Sequence, residues 1–243
     1  MQSLFRDLAY YGRVLKELVY PRRCKVCGDG IEAGYMCEQC RKNFLLQRTL
    51  KGEPREEYLA GMAEPVALDV LSSVLLLYKY DGALKDALHR CKFEADASLL
   101  PFLREEAEAA LPSAKLRWLT QFDLITCVPT STERLAQRGF DVPQEIFGPL
   151  LDQRNTSVYS DSVLERVHHT HPLFELGPQE RRQELAGCFR LRPHFDVRGK
   201  HVLLCDDIFT TGSTLCEAAL VLKCAGAAKV SALAFCAARS HWE

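Results

Sequence analysis

The sequence predicts an α/β protein: a parallel sheet flanked by helices, preceded by a small four-cysteine module. Three observations predict it. From residue 66 onward, short apolar runs alternate with helical patterns, the mark of strand-helix-strand units in a parallel sheet. Within that region, His201 to Leu215 sets an apolar strand, a hydroxyl-rich turn and the start of a helix in immediate succession, which puts a ligand-binding loop at a strand's carboxyl end. Ahead of both stand two Cys-x-x-Cys pairs, Cys24/Cys27 and Cys37/Cys40, with nine residues between them.

Composition narrows the classes. At 243 residues, 47% hydrophobic and 26% charged, the chain has length for one ordinary domain and a small attachment. A net charge of -1 gives no global field for a polyanion, so any nucleic-acid surface must be a local patch. No apolar run reaches the roughly 18 residues of a membrane span, and Arg6, Asp7, Arg13, Lys16 and Glu17 interrupt the first segment where a signal peptide would be apolar. The expectation is a cytoplasmic protein without a membrane span. Eleven cysteines do not contradict it, because four cluster and others, such as Cys127, Cys205 and Cys236, lie in apolar runs as small core residues.

Residues 1–20 place Leu4, Leu8, Tyr11, Leu15, Leu18 and Val19 at helical spacing, an amphipathic helix ended by Pro21. Both charge signs on it favour docking against the protein's own body or a second subunit over a membrane surface. Residues 21–48 form a zinc ribbon in this reading: Cys24, Cys27, Cys37 and Cys40 can set four thiolates around one tetrahedral Zn2+, with no open position, so the metal is structural. A redox dithiol would need only one pair beside a helix. Arg22, Arg23, Lys25, Arg41, Lys42 and Arg48 make the module locally basic, which suits an acidic partner. Residues 49–65, charged and carrying Pro and Gly, read as a connector, and residues 66–243 as the main domain.

In that domain a strand runs from Ser72 to Tyr80, Asp81-Gly82 turns, and a helix through Phe93 carries Lys85, His89, Arg90 and Lys92. A solvated face and a chemical role are both open for that charge run. A helix from about Ser98 to Ala110 stops at Pro112, and the strand Phe122 to Val128 stops at Pro129. Behind it Arg134 and Arg138 lie four apart on one helical face, and with Lys92 they are the candidates to clamp a pyrophosphate or to hold a nucleic-acid backbone. Residues 152–176 are loop-rich, with a strand at Val163 to Val167. The cluster His168, His169 and His171 reads as a solvated segment rather than a metal site, because its spacing fits no rigid ligand face. Pro178 to Glu184 begins a helix, Cys188 to Leu191 a short strand, and Arg198-Gly199-Lys200 a turn. The helix from Leu215 ends at Ala225-Gly226, and Lys229 to Ala237 is the last strand.

The central loop carries the chemistry. At a helix amino end, unpaired N–H groups and the dipole favour an anion. Gly212 lets the backbone close on a phosphate, and the hydroxyls of Thr210, Thr211, Ser213 and Thr214 can donate to it. Asp206 and Asp207 would repel that phosphate, so at least one should accept from neutral donors such as the hydroxyls of a ribose. The bland alternative is a turn whose Asp and Thr residues only cap the helix. The reading requires acids open to a cavity and a cradle that side chains do not block; acids buried in ion pairs, or a blocked cradle, would overturn it. No Walker loop and no Gly-x-Gly-x-x-Gly is present.

Two acids followed by Thr-Thr-Gly-Ser-Thr resemble the phosphoribosyl pyrophosphate (PRPP) motif of type I phosphoribosyltransferases. The resemblance implies that Asp206 and Asp207 bind the ribose hydroxyls, that Thr210 to Thr214 bind the 5′-phosphate, and that Mg2+ bridges the pyrophosphate. It also implies a type I phosphoribosyltransferase-like fold. Tyr78 to Gly82 through Lys92-Phe93, Val128-Pro129 with Arg134 and Arg138-Gly139-Phe140, Glu180-Arg181-Arg182 leading to Gly187-Cys188-Phe189, and the PRPP loop follow the order of the competence protein F (ComF) family. That family also carries a four-cysteine zinc module. The departures are Asp141 where the family usually has Asn, followed by Val142 where it has Gln; Thr170 to Leu173 where Thr-x-x-Gln is common; and Glu184 where Asn is frequent. The resemblance implies a PRPP-binding protein that assists uptake or processing of single-stranded transforming DNA with a helicase-type competence partner. The alternative is an active phosphoribosyltransferase of nucleotide salvage. No acceptor pocket and no catalytic residue can be identified in the sequence.

Overall fold

A computed structural model describes residues 21–45, 70–111, 118–153, 158–168 and 178–238. The chain divides into two compact units, residues 1–46 and 47–243. The expected helix over 1–20 and connector over 49–65 lie outside the described residues.

In the first unit the chain reverses after Cys24, with an antiparallel bridge between Arg23 and Gly30. The reversal is held by Gly28 N–H donating to the Cys24 carbonyl at 2.9 Å and Cys24 N–H donating to the Asp29 carbonyl at 2.7 Å. Gly28 sits at φ +80°, a left-handed turn that a side chain would strain. Helix α1 (Glu38–Leu45) begins between the last two cysteines and places Glu38 in its first turn, where the dipole favours an acid.

The second unit is built on a four-stranded parallel sheet, as the sequence predicts. Its strands are β1 (Val74–Lys79), β2 (Leu124–Cys127), β5 (His201–Phe209) and β6 (Lys229–Ala237), in the order β1-β6-β5-β2. The two nine-residue strands, β5 and β6, lie at the centre and are buried along most of their length. Burial on both faces explains why they read as continuous apolar runs rather than alternating ones. The register sets Cys127 beside Cys205 and Asp206 beside Ala234, so the acids lie in β5 just past the end of β2.

The connections are helical. Helix α2 (Gly82–Phe93) follows β1 and is capped by Asp81, whose carboxylate accepts from Gly82 N–H at 2.9 Å. A short 3₁₀ turn (Ala97–Leu99) leads into α3 (Leu100–Ala110). After β2 come α4 (Thr132–Arg138) and α5 (Val142–Gln153), and α7 (Ser213–Cys224) joins β5 to β6. Helix α4 is capped at its start by Ser131 and closes on Gly139 at φ +82°.

Helix α5 is a difference from the sequence reading, which assigns no element to residues 142–151. Pro143, Gly148 and Pro149 lower its intrinsic propensity. Tertiary burial decides instead: Val142, Ile146, Phe147, Leu150 and Leu151 form one buried stripe, and the Arg104–Glu145 ion pair at 3.1 Å ties α5 to α3. The remaining elements are β3 (Leu164–Arg166), α6 (Pro178–Leu185) and β4 (Phe189–Leu191). β3 and β4 pair antiparallel outside the main sheet, setting Arg166 opposite Phe189. Leu164 and Phe189 join Leu204, Leu215 and Leu222 in one core cluster, which fixes this small ribbon beside β5 and α7.

Candidate functional site

β5 delivers Asp206 and Asp207 near its end, and the turn from Thr210 leads directly into α7. Gly212 adopts φ +79°, and a Cβ there would stand 2.9 Å from a Phe209 ring atom. Only glycine permits this turn without strain. Thr211 and Ser213 hydroxyls bond each other at 2.7 Å, so they brace the turn, while Thr210 and Thr214 face a cavity of about 490 Å³.

The same cavity gathers side chains from four other places. Lys85, His89 and Lys92 come from α2, Thr130 from the end of β2, Arg134 and Arg138 from α4, and Arg166 from β3. Its wall therefore carries five cations, Lys85, Lys92, Arg134, Arg138 and Arg166, against two carboxylates. Burial lowers the pKa of Arg134, and the neighbouring Arg166 and Arg138 lower it further. That mutual repulsion would be relieved by a polyanion.

The acids are less open than the sequence reading required. Asp207 is 7% exposed and pairs with Lys92 at 2.8 Å. Asp206 accepts from the Asp207 backbone N–H at 2.8 Å, and burial, with Asp207 adjacent, raises its pKa well above the ordinary carboxylate range. The requirement for two open carboxylates is thus met only in part. Both line the cavity, yet one is held by Lys92, which lines the same cavity. The physical reason is proximity: opposite charges on a weakly polarisable wall are each other's strongest partners.

Of the residues singled out in sequence, Lys92, Arg134, Arg138, Asp206, Asp207, Thr210 and Thr214 share this one cavity, and Thr211, Gly212 and Ser213 shape the turn beneath it. The charge run on α2 divides: Lys85, His89 and Lys92 line the cavity, whereas Arg90 pairs with Asp96 at 2.5 Å. His168 is exposed and does not line it, and His169 and His171 lie outside the described residues. Arg166 was missed. A single arginine in Val163-Leu-Glu-Arg-Val167 has no spacing that marks it, and only the β3–β4 ribbon brings it to the cavity.

In the amino-terminal unit the sulfurs of Cys24, Cys27, Cys37 and Cys40 lie within 4.8 Å of one another, a set that could hold a metal ion. Cys27 Sγ stands 3.7 Å from Cys37 Sγ. A tetrahedral Zn–S₄ centre with bonds of about 2.3 Å has edges of about 3.8 Å, so the donors fit.

Comparison with known proteins agrees with this arrangement. A family model described as the phosphoribosyl transferase domain matches residues 134–243. The DNA utilization protein YhgH of Salmonella typhimurium is 31% identical over 223 residues, covering 88% of this chain and 89% of that protein. The competence protein ComFC of Bacillus subtilis is 28% identical over 152 residues, covering 60% of this chain and 56% of that one. The chain belongs to the ComF family. The Escherichia coli K12 YhgH, 30% identical over 220 residues, covers the same shares as its Salmonella counterpart. Asp141 is the residue that the sequence reading sets down as a departure from the expected Asn. It precedes α5 and accepts from Thr130 N–H at 2.7 Å, a bond that Asn would also make. Being a carboxyl, it bears a cost that Asn would not: burial pushes its pKa up to about 6.

Proposed function

We propose that this ComF protein binds PRPP with Mg2+ at the Asp206–Thr214 loop and serves the handling of single-stranded DNA as a binding or regulatory module. The observation that carries the reading is the single cavity in which two carboxylates, a glycine-turned hydroxyl loop and five cations meet. In this reading Thr210 and Thr214 and the amino end of α7 receive the 5′-phosphate, and Asp206 and Asp207 receive the ribose hydroxyls. Lys92, Arg134 and Arg138 meet the pyrophosphate, and Arg166 adds positive charge to the wall. Bound Mg2+ would neutralise part of the pyrophosphate charge. The Lys92–Asp207 pair is exchanged rather than simply lost, since the ligand supplies an anion for the lysine and hydroxyl donors for the carboxylate.

The relatives named for DNA utilization and competence support the DNA role, and a helicase-type partner is proposed with it. A structural Zn2+ in the four-cysteine module belongs to the same reading. Among the described residues no helix is long and apolar enough to cross a membrane, and we place the protein in the cytoplasm. The test is a thermal-shift titration. PRPP with Mg2+ should raise the melting temperature, and Asp206→Ala with Asp207→Ala should abolish the rise. An equal rise in the double variant would remove the site assignment. Pyrophosphate release on adding any base from a panel would favour the salvage phosphoribosyltransferase instead.

A further inference from the structure

Helix α2 buries Leu84, Ala87, Leu88 and Cys91 against the domain, and this accounts for its large apolar residues but one. Phe93, its last residue, is 55% exposed, the most exposed large hydrophobic side chain among the described residues and the only aromatic in that group. It does not stand alone. Lys85, His89 and Phe93 follow at intervals of four, so they share one stripe of the helix. All three line the cavity that holds Asp206, Thr210 and Thr214. His89 and Phe93 rings lie 4.6 Å apart between centroids, tilted by 37°, so the Phe93 ring is supported by a second flat ring.

An exposed, braced aromatic beside Lys92, Arg134 and Arg138 combines the two elements from which sequence-tolerant single-strand binding is built: a π-face for the base and cations for the backbone. We propose that Phe93, backed by His89, is a stacking shelf on which one base of single-stranded DNA rests while an adjoining phosphate takes the cations that PRPP otherwise occupies. This deepens the reading given under Proposed function, and it assigns the DNA contact to the rim of the PRPP cavity. A base offers every strand the same flat face, so the shelf should tolerate any sequence. The phosphate contacts should make binding salt-dependent.

The test is fluorescence-anisotropy binding of a labelled oligo(dT) and of an abasic strand of equal length, with PRPP–Mg2+ thermal shifts on the same proteins. Phe93→Ala should weaken oligo(dT) binding by on the order of tenfold. Its salt slope and its PRPP response should match those of the wild type, and Phe93→Trp should restore the affinity. The abasic strand should bind the wild type as weakly as oligo(dT) binds Phe93→Ala. Oligo(dT) affinity unchanged within about twofold in Phe93→Ala, or equal wild-type binding of the two strands, would overturn the shelf. Loss of the PRPP response with retained base-dependent binding would instead overturn the PRPP reading and leave the shelf standing.

Discussion

Asp141→Asn should stabilise this protein, and by an amount that depends on pH in a fixed direction. Asp141 is half-buried, its Oδ2 accepts from Thr130 N–H at 2.7 Å, and the Gln144 backbone N–H also favours its charged form. Burial, with the charge of Asp207 adding to it, raises the carboxyl pKa from 3.8 to about 6, against the opposing pull of the Thr130 and Gln144 N–H groups and of Arg138. A carboxyl whose pKa rises on folding favours the folded state while protonated. That stability is intact below about pH 4 and is lost as the pH climbs through about 6. At about 1.4 kcal/mol per unit, the shift corresponds to about 3 kcal/mol above that window, an upper figure for a group with some solvent contact. Asparagine keeps an acceptor for Thr130 and carries no charge to desolvate. Urea denaturation should therefore find Asp141→Asn more stable by about 2 kcal/mol near neutral pH, and the gain should shrink to about 0.5 kcal/mol or less at about pH 4. A gain of equal size at both pH values, or a loss near neutrality, would refute the burial argument.

Other perturbations follow from the same geometry. Lys92→Met leaves Asp207, 7% exposed, without its cation, and should cost about 2 kcal/mol in urea unfolding; adding Asp207→Asn should recover most of it. A loss below about 0.5 kcal/mol would mean the pair contributes little. Gly212→Ala forces a side chain into a left-handed turn against Phe209, so about 1–3 kcal/mol of stability and the PRPP thermal shift should both decline. If the cysteine cluster holds Zn2+, metal analysis should return about one ion per chain. A strong chelator should then expose the thiols of Cys24, Cys27, Cys37 and Cys40 to a thiol reagent, and unchanged reactivity would count against a metal there.

Much of the architecture is local, and for that reason it was legible. The runs that become β1, β2, β5 and β6 are bounded by turns and filled with apolar residues, and the cap at Asp81 and the glycine at 212 act on their immediate neighbours. The same holds for the cysteine pairs and for the Asp206–Thr214 loop, whose chemistry lies in consecutive residues. Helix α5 was not legible, because its prolines argue against a helix and only the buried face of Val142, Ile146 and Phe147 argues for one.

What tertiary structure alone decided is which charges meet. Lys92 and Asp207 are 115 positions apart, and nothing in either neighbourhood announces a 2.8 Å ion pair. Arg166 reaches the cavity only because β3 folds back on β4, and Lys85 and His89 turn towards it while Arg90 turns to Asp96. Helical and strand periods specify the face a residue occupies, but electrostatic partnership depends on distances through space, which are set when the sheet orders β1, β6, β5 and β2 side by side.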